Sequence, residues 1–249
     1  MDRLLAATPV VILAGGLGTR LRPALADRPK GLAPIGGDPF LEIQISLLRR
    51  QGARRFGLCG GHQAGQIQAA LGDGGRLGVQ IEYSIETGAL LGTAGALKLA
   101  ERFFNPRALV LNGDTYFDID YAGLLAAHRP EALATLALAP IADRSRYGTV
   151  EFEPATRRIT RFAEKAAEGE AGPGWVSAGA YVVERRLLDL VTPGRPCSIE
   201  REVFPRALTE HGALLAHPCQ AVFYDIGTPE SWQAFEAHYQ GEAPAGSGR

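Results

Sequence analysis

From Pro9 to about Leu111 the chain alternates between two hydrophobic rhythms. Pro9-Val10-Val11-Ile12-Leu13 is an unbroken apolar run rich in β-branched residues, which predicts a strand buried on both faces. Phe40, Leu41, Ile43, Leu47 and Leu48 then fall at helical spacing. The segment Phe40–Gln51 opens at Asp38-Pro39 and stops at Gly52, the punctuation of a helix. Phe56–Cys59 reads as a strand and Ala64–Leu71 as a helix. Val79, Ile81, Tyr83 and Ile85 alternate with polar or small residues at strand period, Thr93–Arg102 predicts a helix, and Ala108–Leu111 a second strand buried on both faces. This alternation predicts an α/β, Rossmann-like architecture. Its sheet is mostly parallel but mixed, with helices on both faces and ligands at the carboxyl ends of the strands.

The second half is less regular. Leu133–Ala139, Gly148–Phe152, Arg158–Phe162 and Trp175–Val183 read as strands, and Leu187–Leu190, Ile199–Thr209 and Glu230–Tyr239 as helices. The Gly/Ala/Glu-rich stretch between Ala163 and Gly174 reads as a mobile surface loop, and Gly241–Arg249 has the composition of a disordered tail. No repeat or linker divides the chain, so one domain over residues 9–240 is expected, flanked by tails at 1–8 and 241–249.

Composition narrows the function classes. The chain has 249 residues, 46% of them hydrophobic and 21% charged, enough for a sizeable core. A formal net charge of −1 lacks the basic excess of a nucleic-acid binder. Cys59, Cys197 and Cys219 are odd in number and lack Cys-x-x-Cys spacing, so neither a disulfide framework nor a zinc site is expected. No run reaches membrane-spanning length and Met1–Thr8 is too short for a signal peptide. The expectation is a cytoplasmic protein that engages neither nucleic acid nor membrane. The five His residues are scattered and stand near no motif.

The candidate chemistry starts after the first strand, at Leu13-Ala14-Gly15-Gly16-Leu17-Gly18-Thr19-Arg20-Leu21-Arg22-Pro23, followed by Pro29-Lys30. Three glycines permit a sharp turn that exposes backbone N–H groups, and Arg20 and Lys30 add fixed positive charge, which together suit a polyphosphate. A P-loop would need Gly-Lys-Ser/Thr where this chain has Gly18-Thr19-Arg20. A dinucleotide fingerprint would need a third glycine at Leu21 and an acidic residue after Phe56-Gly57-Leu58-Cys59-Gly60-Gly61. Asn112-Gly113-Asp114, directly after a buried strand, is either a type I turn or a rim carboxylate able to bind Mg²⁺. Asp225 follows Ala221-Val222-Phe223-Tyr224 and is either a turn residue or a second such carboxylate. After it, Thr228-Pro229 caps and opens the last helix. Thr93 in Gly92-Thr93-Ala94-Gly95 suits a helix N-cap, and Ser177-Ala178-Gly179 suits close strand packing. Glu164-Lys165 and Asp143-Arg144-Ser145-Arg146-Tyr147-Gly148 would be solvated on an arbitrary protein.

The eleven positions from Leu13 to Pro23, with Pro29-Lys30, resemble the signature of the sugar-1-phosphate nucleotidyltransferases, and the likeness runs from about Pro9 to Tyr239. The resemblance implies an enzyme that joins a nucleoside triphosphate to a sugar 1-phosphate and releases pyrophosphate, with Mg²⁺ as cofactor. It is compatible with a homo-oligomer. It implies that Leu13, Ala14, Gly15, Gly16, Gly18 and Thr19 bind the nucleotide, with Gly92, Thr93 and Gly95 at the base. Arg20, Lys30 and Asp114 would be catalytic, and Asp114 and Asp225 would hold the metal. Glu164, Lys165, Ser177 and Gly179 would take the sugar phosphate. Gly31, Asp38, Ala166 and Ser177 depart from the family's usual proline, lysine, proline and asparagine, and Thr87-Gly88-Ala89-Leu90 replaces a shorter Glu-Pro. Asp38 would find a structural role as a helix cap. Pro39–Glu42, Ser145–Gly148 and Asp225–Glu230 look most like the branch that guanylylates D-glycero-D-manno-heptose 1-phosphate. Sister branches pair GTP with mannose 1-phosphate, or other triphosphates with N-acetylmuramate or glucose 1-phosphate. A non-catalytic nucleotide-sugar sensor would be expected to lose the cations or metal carboxylates that this chain retains.

Overall fold

The computed structural model describes residues 2–21, 25, 28–142, 148–163, 172–212 and 214–241. The first half runs α1 (Asp2–Ala7), β1 (Val10–Leu13), β2 (Pro34–Ile35), β3 (Asp38–Pro39), α2 (Phe40–Arg50), β4 (Arg55–Gly60), α3 (Ala64–Leu71), β5 (Gln80–Ile85) and α4 (Gly92–Leu99). It continues through β6 (Arg107–Asn112), β7 (Thr115–Phe117), α5 (Tyr121–Ala127), β8 (Ala134–Ile141), β9 (Thr149–Phe152) and β10 (Ile159–Ala163). β11 (Gly174–Glu184), α6 (Phe204–His211), β12 (Leu214–Pro218), β13 (Phe223–Asp225) and α7 (Pro229–Gly241) complete it.

Seven strands form one sheet in the order β12-β8-β11-β6-β1-β4-β5. β1 pairs in parallel with both β4 and β6, β4 pairs in parallel with β5, and β8 with β12. β11 runs antiparallel to its neighbours β6 and β8, which makes the sheet mixed. The central strand explains its own composition. Val10 and Ile12 point into a core shared with Leu5, Phe40, Leu48, Leu124 and Phe235, while Val11 points into another with Ala94, Leu97 and Phe204. With α1, α2, α5 and α7 on one face and α4 and α6 on the other, β1 meets no water and needs no polar residue.

The topology also fixes where a ligand fits. The chain builds outward from β1 through β4 to β5, then α4 returns it to β6 on the other side of β1. Strand order therefore reverses between β1 and β6, and the crevice outside their carboxyl ends is the place such sheets use for ligands.

Several elements refine the sequence reading. Residues 1–8, expected as a tail, contain α1, whose Leu5 is fully buried. The helix expected over Thr93–Arg102 ends at Leu99 and gives way to a 3₁₀ turn at Glu101–Phe103. Ile199–Thr209 divides into a π turn, Ile199–Val203, and α6. Asp38 does not cap α2: it is exposed in β3, the cap position is Pro39, and the Phe40 N–H donates to the Ala33 carbonyl at 3.0 Å instead. The backbone partner removes the need for a side-chain cap. Most of the loop between Ala163 and Gly174, and the tail beyond Gly241, lie outside the described residues.

Candidate active site

The glycine-rich turn leaves β1 and is fastened to its neighbours by main chain. The Ala14 N–H donates to the Cys59 carbonyl at 2.8 Å and the Gly113 N–H to the Leu13 carbonyl at 2.9 Å. A Cβ on Gly113 would lie 2.6 Å from the Leu13 oxygen, so only glycine lets the Asn112-Gly113-Asp114 turn press onto the end of β1. Gly16, Leu17, Thr19 and Arg20 face outward from this turn, whereas Leu21 is fully buried and anchors its far end.

Two carboxylates distant in sequence meet here through a small sheet. β13 pairs antiparallel with β7, with Asp225 opposite Thr115, and the Ile226 N–H donates to the Asp114 carbonyl at 2.9 Å. From α2, the buried Gln44 donates through Nε2 to the carbonyls of Asn112 and Thr115, both at 2.9 Å. Its amide thus grips the chain on either side of Asp114. This explains a polar residue on the inner face of an apolar helix, and the sequence reading passed over it.

Lys30 Nζ sits 2.6 Å from Asp114 Oδ2 and 3.7 Å from Asp225 Oδ1. Arg20 reaches the same spot. A Cβ on Gly227 would lie 2.7 Å from Asp225 Oδ1, 3.0 Å from Arg20 Nη2 and 3.2 Å from Lys30 Nζ. Burial, and then the Asp114 charge, push the Asp225 carboxyl above its ordinary range, while Lys30, the Gly227 amide and Arg20 pull it back. Asp225 Oδ1 is buried and accepts no hydrogen bond among the described residues. A hard cation would satisfy that oxygen and relieve the repulsion between the carboxylates, so Asp114 and Asp225 suit Mg²⁺, which one or two carboxylates and phosphates commonly hold. No group of three or more His, Cys, Asp or Glu side chains suited to a metal occurs among the described residues.

On the β4–β5 side the crevice holds two residues that the sequence reading missed. Glu86 follows β5, and its Oε1 accepts the Leu91 N–H at 2.8 Å. Its Oε2 lies against the cradle, 3.2 Å from where a Cβ on Gly15 would be and 2.6 Å from one on Gly61. Burial raises the Glu86 carboxyl and the Leu91 N–H lowers it. His62, directly after Gly61, has a buried Nε2 with no partner among the described residues. The expectation that no histidine stands near a motif is therefore corrected. The signal available was position, since both residues follow a strand at its carboxyl end.

Gly92, Thr93 and Gly95 are placed differently from Arg20, Lys30, Asp114 and Asp225. Cβ atoms on Gly92 and Gly95 would lie 2.6 Å from the Cys197 oxygen and 3.1 Å from the Arg195 oxygen. Thr93 is not an N-cap: Leu91 holds that position, and Thr93 Oγ1 accepts the Ile199 N–H at 2.8 Å. These residues fasten α4 to the 195–199 segment. Ser177 and Gly179 stand on β11, on the far side of Asn112 from the cradle. Arg22, Pro23, Asp143–Tyr147, Glu164 and Lys165 lie outside the described residues.

The family model described as nucleotidyl transferase matches residues 9–242. The D-glycero-alpha-D-manno-heptose 1-phosphate guanylyltransferase of Campylobacter jejuni is 35% identical over 90% of this chain and 97% of its own length. The mannose-1-phosphate guanylyltransferase of Mycobacterium tuberculosis is 36% identical over 89% of this chain, which spans only 62% of that protein. Among solved structures, HddC from Yersinia pseudotuberculosis complexed with GMP-PN superposes with a TM-score of 0.80 at 29% identity, covering 93% of this chain and 99% of that one. No described helix is long and apolar enough to cross a membrane. The family match and the shared sheet agree with the charged cluster at the β1–β6 crevice, and the chain belongs to the nucleotidyl transferase family.

Proposed function

We propose that this chain transfers a guanylyl group from GTP to a sugar 1-phosphate, yielding a GDP-sugar and pyrophosphate, with D-glycero-D-manno-heptose 1-phosphate as the sugar substrate. The observation that carries the reading is the meeting of Arg20, Lys30, Asp114 and Asp225 at the β1–β6 crevice, beside a glycine-rich turn. The chain's match to 97% of the Campylobacter jejuni heptose enzyme, against 62% of the mannose enzyme, supports the heptose branch. Mannose 1-phosphate is the second reading, supported by the 36% identity to the mannose enzyme.

The chemistry follows from charge. A phosphate oxygen of the sugar 1-phosphate attacks the α-phosphorus of GTP, the bond from that phosphorus to the β-phosphate bridge oxygen breaks, and pyrophosphate departs. Attacker and target are both anions, so positioning and positive charge matter more than a general base. The backbone of Gly15–Thr19 cradles the triphosphate. Arg20 faces the charge that grows on the departing phosphates, and Lys30 bridges phosphate oxygens after giving up its contact with Asp114. Asp114 and Asp225 would hold Mg²⁺, which when bound supplies further charge neutralisation at the phosphates. Lys165, with Glu164, docks the attacking sugar phosphate.

Glu86 supports the choice of GTP. A carboxylate offers acceptors, and guanine presents N1–H and N2–H₂ donors on one edge, which uracil and thymine do not match. Glu86→Gln is expected to lower kcat/KM for GTP about 10- to 100-fold, the worth of one to two charge-assisted hydrogen bonds.

The test is pyrophosphate release with Mg²⁺, crossing GTP, UTP, dTTP, CTP and ATP against heptose, mannose, glucose and N-acetylated sugar 1-phosphates. Turnover confined to GTP with heptose 1-phosphate supports the reading. Turnover confined to GTP with mannose 1-phosphate moves it to the second sugar. Silence across the grid from folded protein that binds GTP overturns it in favour of a nucleotide-sugar sensor.

A further inference from the structure

On the flank of the crevice opposite Glu86, β11 carries a break in register between Ser177 and Tyr181. Gly179 at its centre has φ +67°, and a Cβ there would lie 2.7 Å from Asn112 Nδ2. Such a bulge re-aims side chains, and bulges recur beside active sites. Here it makes two side chains converge on one carboxylate. Ser177 Oγ lies 3.1 Å from Glu200 Oε1 and 3.3 Å from the Tyr181 hydroxyl, and that hydroxyl donates to the same Glu200 oxygen. Tyr181 is fully buried, packs edge-on to Phe204 with ring centroids 5.2 Å apart, and has the Asn112 amide beside its hydroxyl. Its phenol is pushed well above the ordinary tyrosine range by burial and by the Glu200 charge, so it stays a proton donor.

Glu200 itself is exposed, on the π turn that follows the segment supporting α4. Both of its hydrogen bonds use Oε1, and among the described residues Oε2 has no partner and no cation pairs with the group. Its anchor leads back to the reaction centre: Asn112 is two residues before Asp114, and Gln44 grips the Asn112 carbonyl. Ala180 of β11 lies opposite Leu111 of β6, so antiparallel β11 carries Ser177 out past the carboxyl end of β6 and over the rim. A negative charge whose Oε2 has no partner among the described residues repels phosphate and suits hydroxyl donors. The cradle and Glu86 occupy the other flank, which on the guanylyl-transfer reading leaves this one to the second substrate.

We infer that Glu200 is a sugar-recognition residue, whose Oε2 accepts hydroxyl hydrogen bonds from the sugar of the sugar 1-phosphate while Tyr181 and Asn112 set its orientation. The inference rests on the guanylyl-transfer reading and adds to it the group that sorts sugars. Glu200 contacts substrate; Tyr181 is a positioning residue.

Glu200→Gln is the direct test, because the amide oxygen still accepts from Tyr181 while an NH₂ donor replaces the free acceptor. It is expected to raise KM for the preferred sugar 1-phosphate about tenfold, as for one lost charge-assisted hydrogen bond, leaving KM for GTP and Tm unchanged. A deoxy analogue lacking the contacted hydroxyl is expected to bind wild type and variant equally. In a Tyr181→Phe background the penalty of Glu200→Gln is expected to shrink, the mark of coupling. An unchanged sugar KM, or both KM values rising together with a lower Tm, overturns the inference in favour of a purely structural tie. Should the wild type turn over no sugar 1-phosphate, the functional reading falls by itself. Calorimetric titration with heptose and mannose 1-phosphates then decides on Glu200: about tenfold weaker binding by the variant upholds it, and equal or absent binding by both proteins overturns it.

Discussion

The two flanks of the crevice are built from different materials. On the β4–β5 side the cradle is main chain pressed on main chain: Ala14 on Cys59, Gly113 on Leu13, with Glu86 held by the Leu91 amide. On the β11 side the wall is a side-chain network of Asn112, Tyr181, Ser177 and Glu200 hung on a bulged strand. A wall of backbone cannot change its contacts without moving the strands, whereas a wall of side chains changes with one substitution. Under the proposed function, a fold organised this way would keep its grip on the polyphosphate constant and let the sugar preference drift. Ser177, whose hydroxyl lies 3.1 Å from Glu200 Oε1, belongs to the wall that can drift.

The largest break is expected at the centre that both flanks share. Asp114→Ala should lower kcat about 10³-fold, the scale of losing a principal electrostatic contact to the transition state, with Tm nearly unchanged. Chelating divalent ions should silence the wild type in the same steady-state assay. Next comes the backbone wall. Gly113→Ala forces a Cβ to 2.6 Å from a carbonyl oxygen and should cost about 1–3 kcal/mol in urea unfolding, with activity falling alongside. The side-chain wall should behave in the opposite manner: Ser177→Ala is expected to raise the sugar KM about two- to threefold with no change in Tm, since the Ser177 hydroxyl is a secondary contact of Glu200.

The smallest effect lies away from both flanks. At the opposite end of β6 the buried His128 meets Thr135 Oγ1 at 2.8 Å and Glu184 Oε1 at 3.1 Å, with Arg107 also 3.1 Å from Glu184. Burial dominates and lowers the imidazole below its ordinary value of 6.5, Arg107 and Arg186 reinforcing it and Glu184 opposing it. The folded state therefore prefers neutral histidine. Its contribution is complete above pH 6.5 and is lost as pH falls towards the depressed folded value. Thermal unfolding of wild type and His128→Gln at pH 8 and pH 5 should show a gap in Tm that narrows at pH 5, with catalytic specificity unaltered.

Much of this was legible in the sequence, for identifiable reasons. A strand enclosed on both faces must be apolar throughout, so Val10–Leu13 announced itself, and a backbone cradle needs glycines, so Gly15–Gly18 did too. Lys30, Asp114 and Asp225 could be named from a family signature, but their meeting depends on β7 pairing with β13, a long-range register that no local pattern encodes. Glu86, Gln44 and Glu200 were missed because a single polar residue between elements, or on a helix, reads as solvated until its partners are known. The helix α5 carried a readable cap, Asp120 accepting the Gly123 N–H at 2.9 Å, but seven residues of Tyr, Ala, Gly and Leu show too little periodicity to mark its body.

The central claim is attack on the α-phosphorus of GTP by a sugar phosphate held at Arg20, Lys30, Asp114 and Asp225. It is tested most directly by incubating wild-type protein and Mg²⁺ with unlabelled heptose 1-phosphate and GTP labelled at the α-phosphorus, then separating the products. The label is expected in GDP-heptose with one equivalent of unlabelled pyrophosphate, and transfer by Asp114→Ala is expected to be about 10³-fold slower. Label appearing as GMP or remaining on the protein, or staying in GTP with mannose 1-phosphate as well as with heptose 1-phosphate, would contradict the claim.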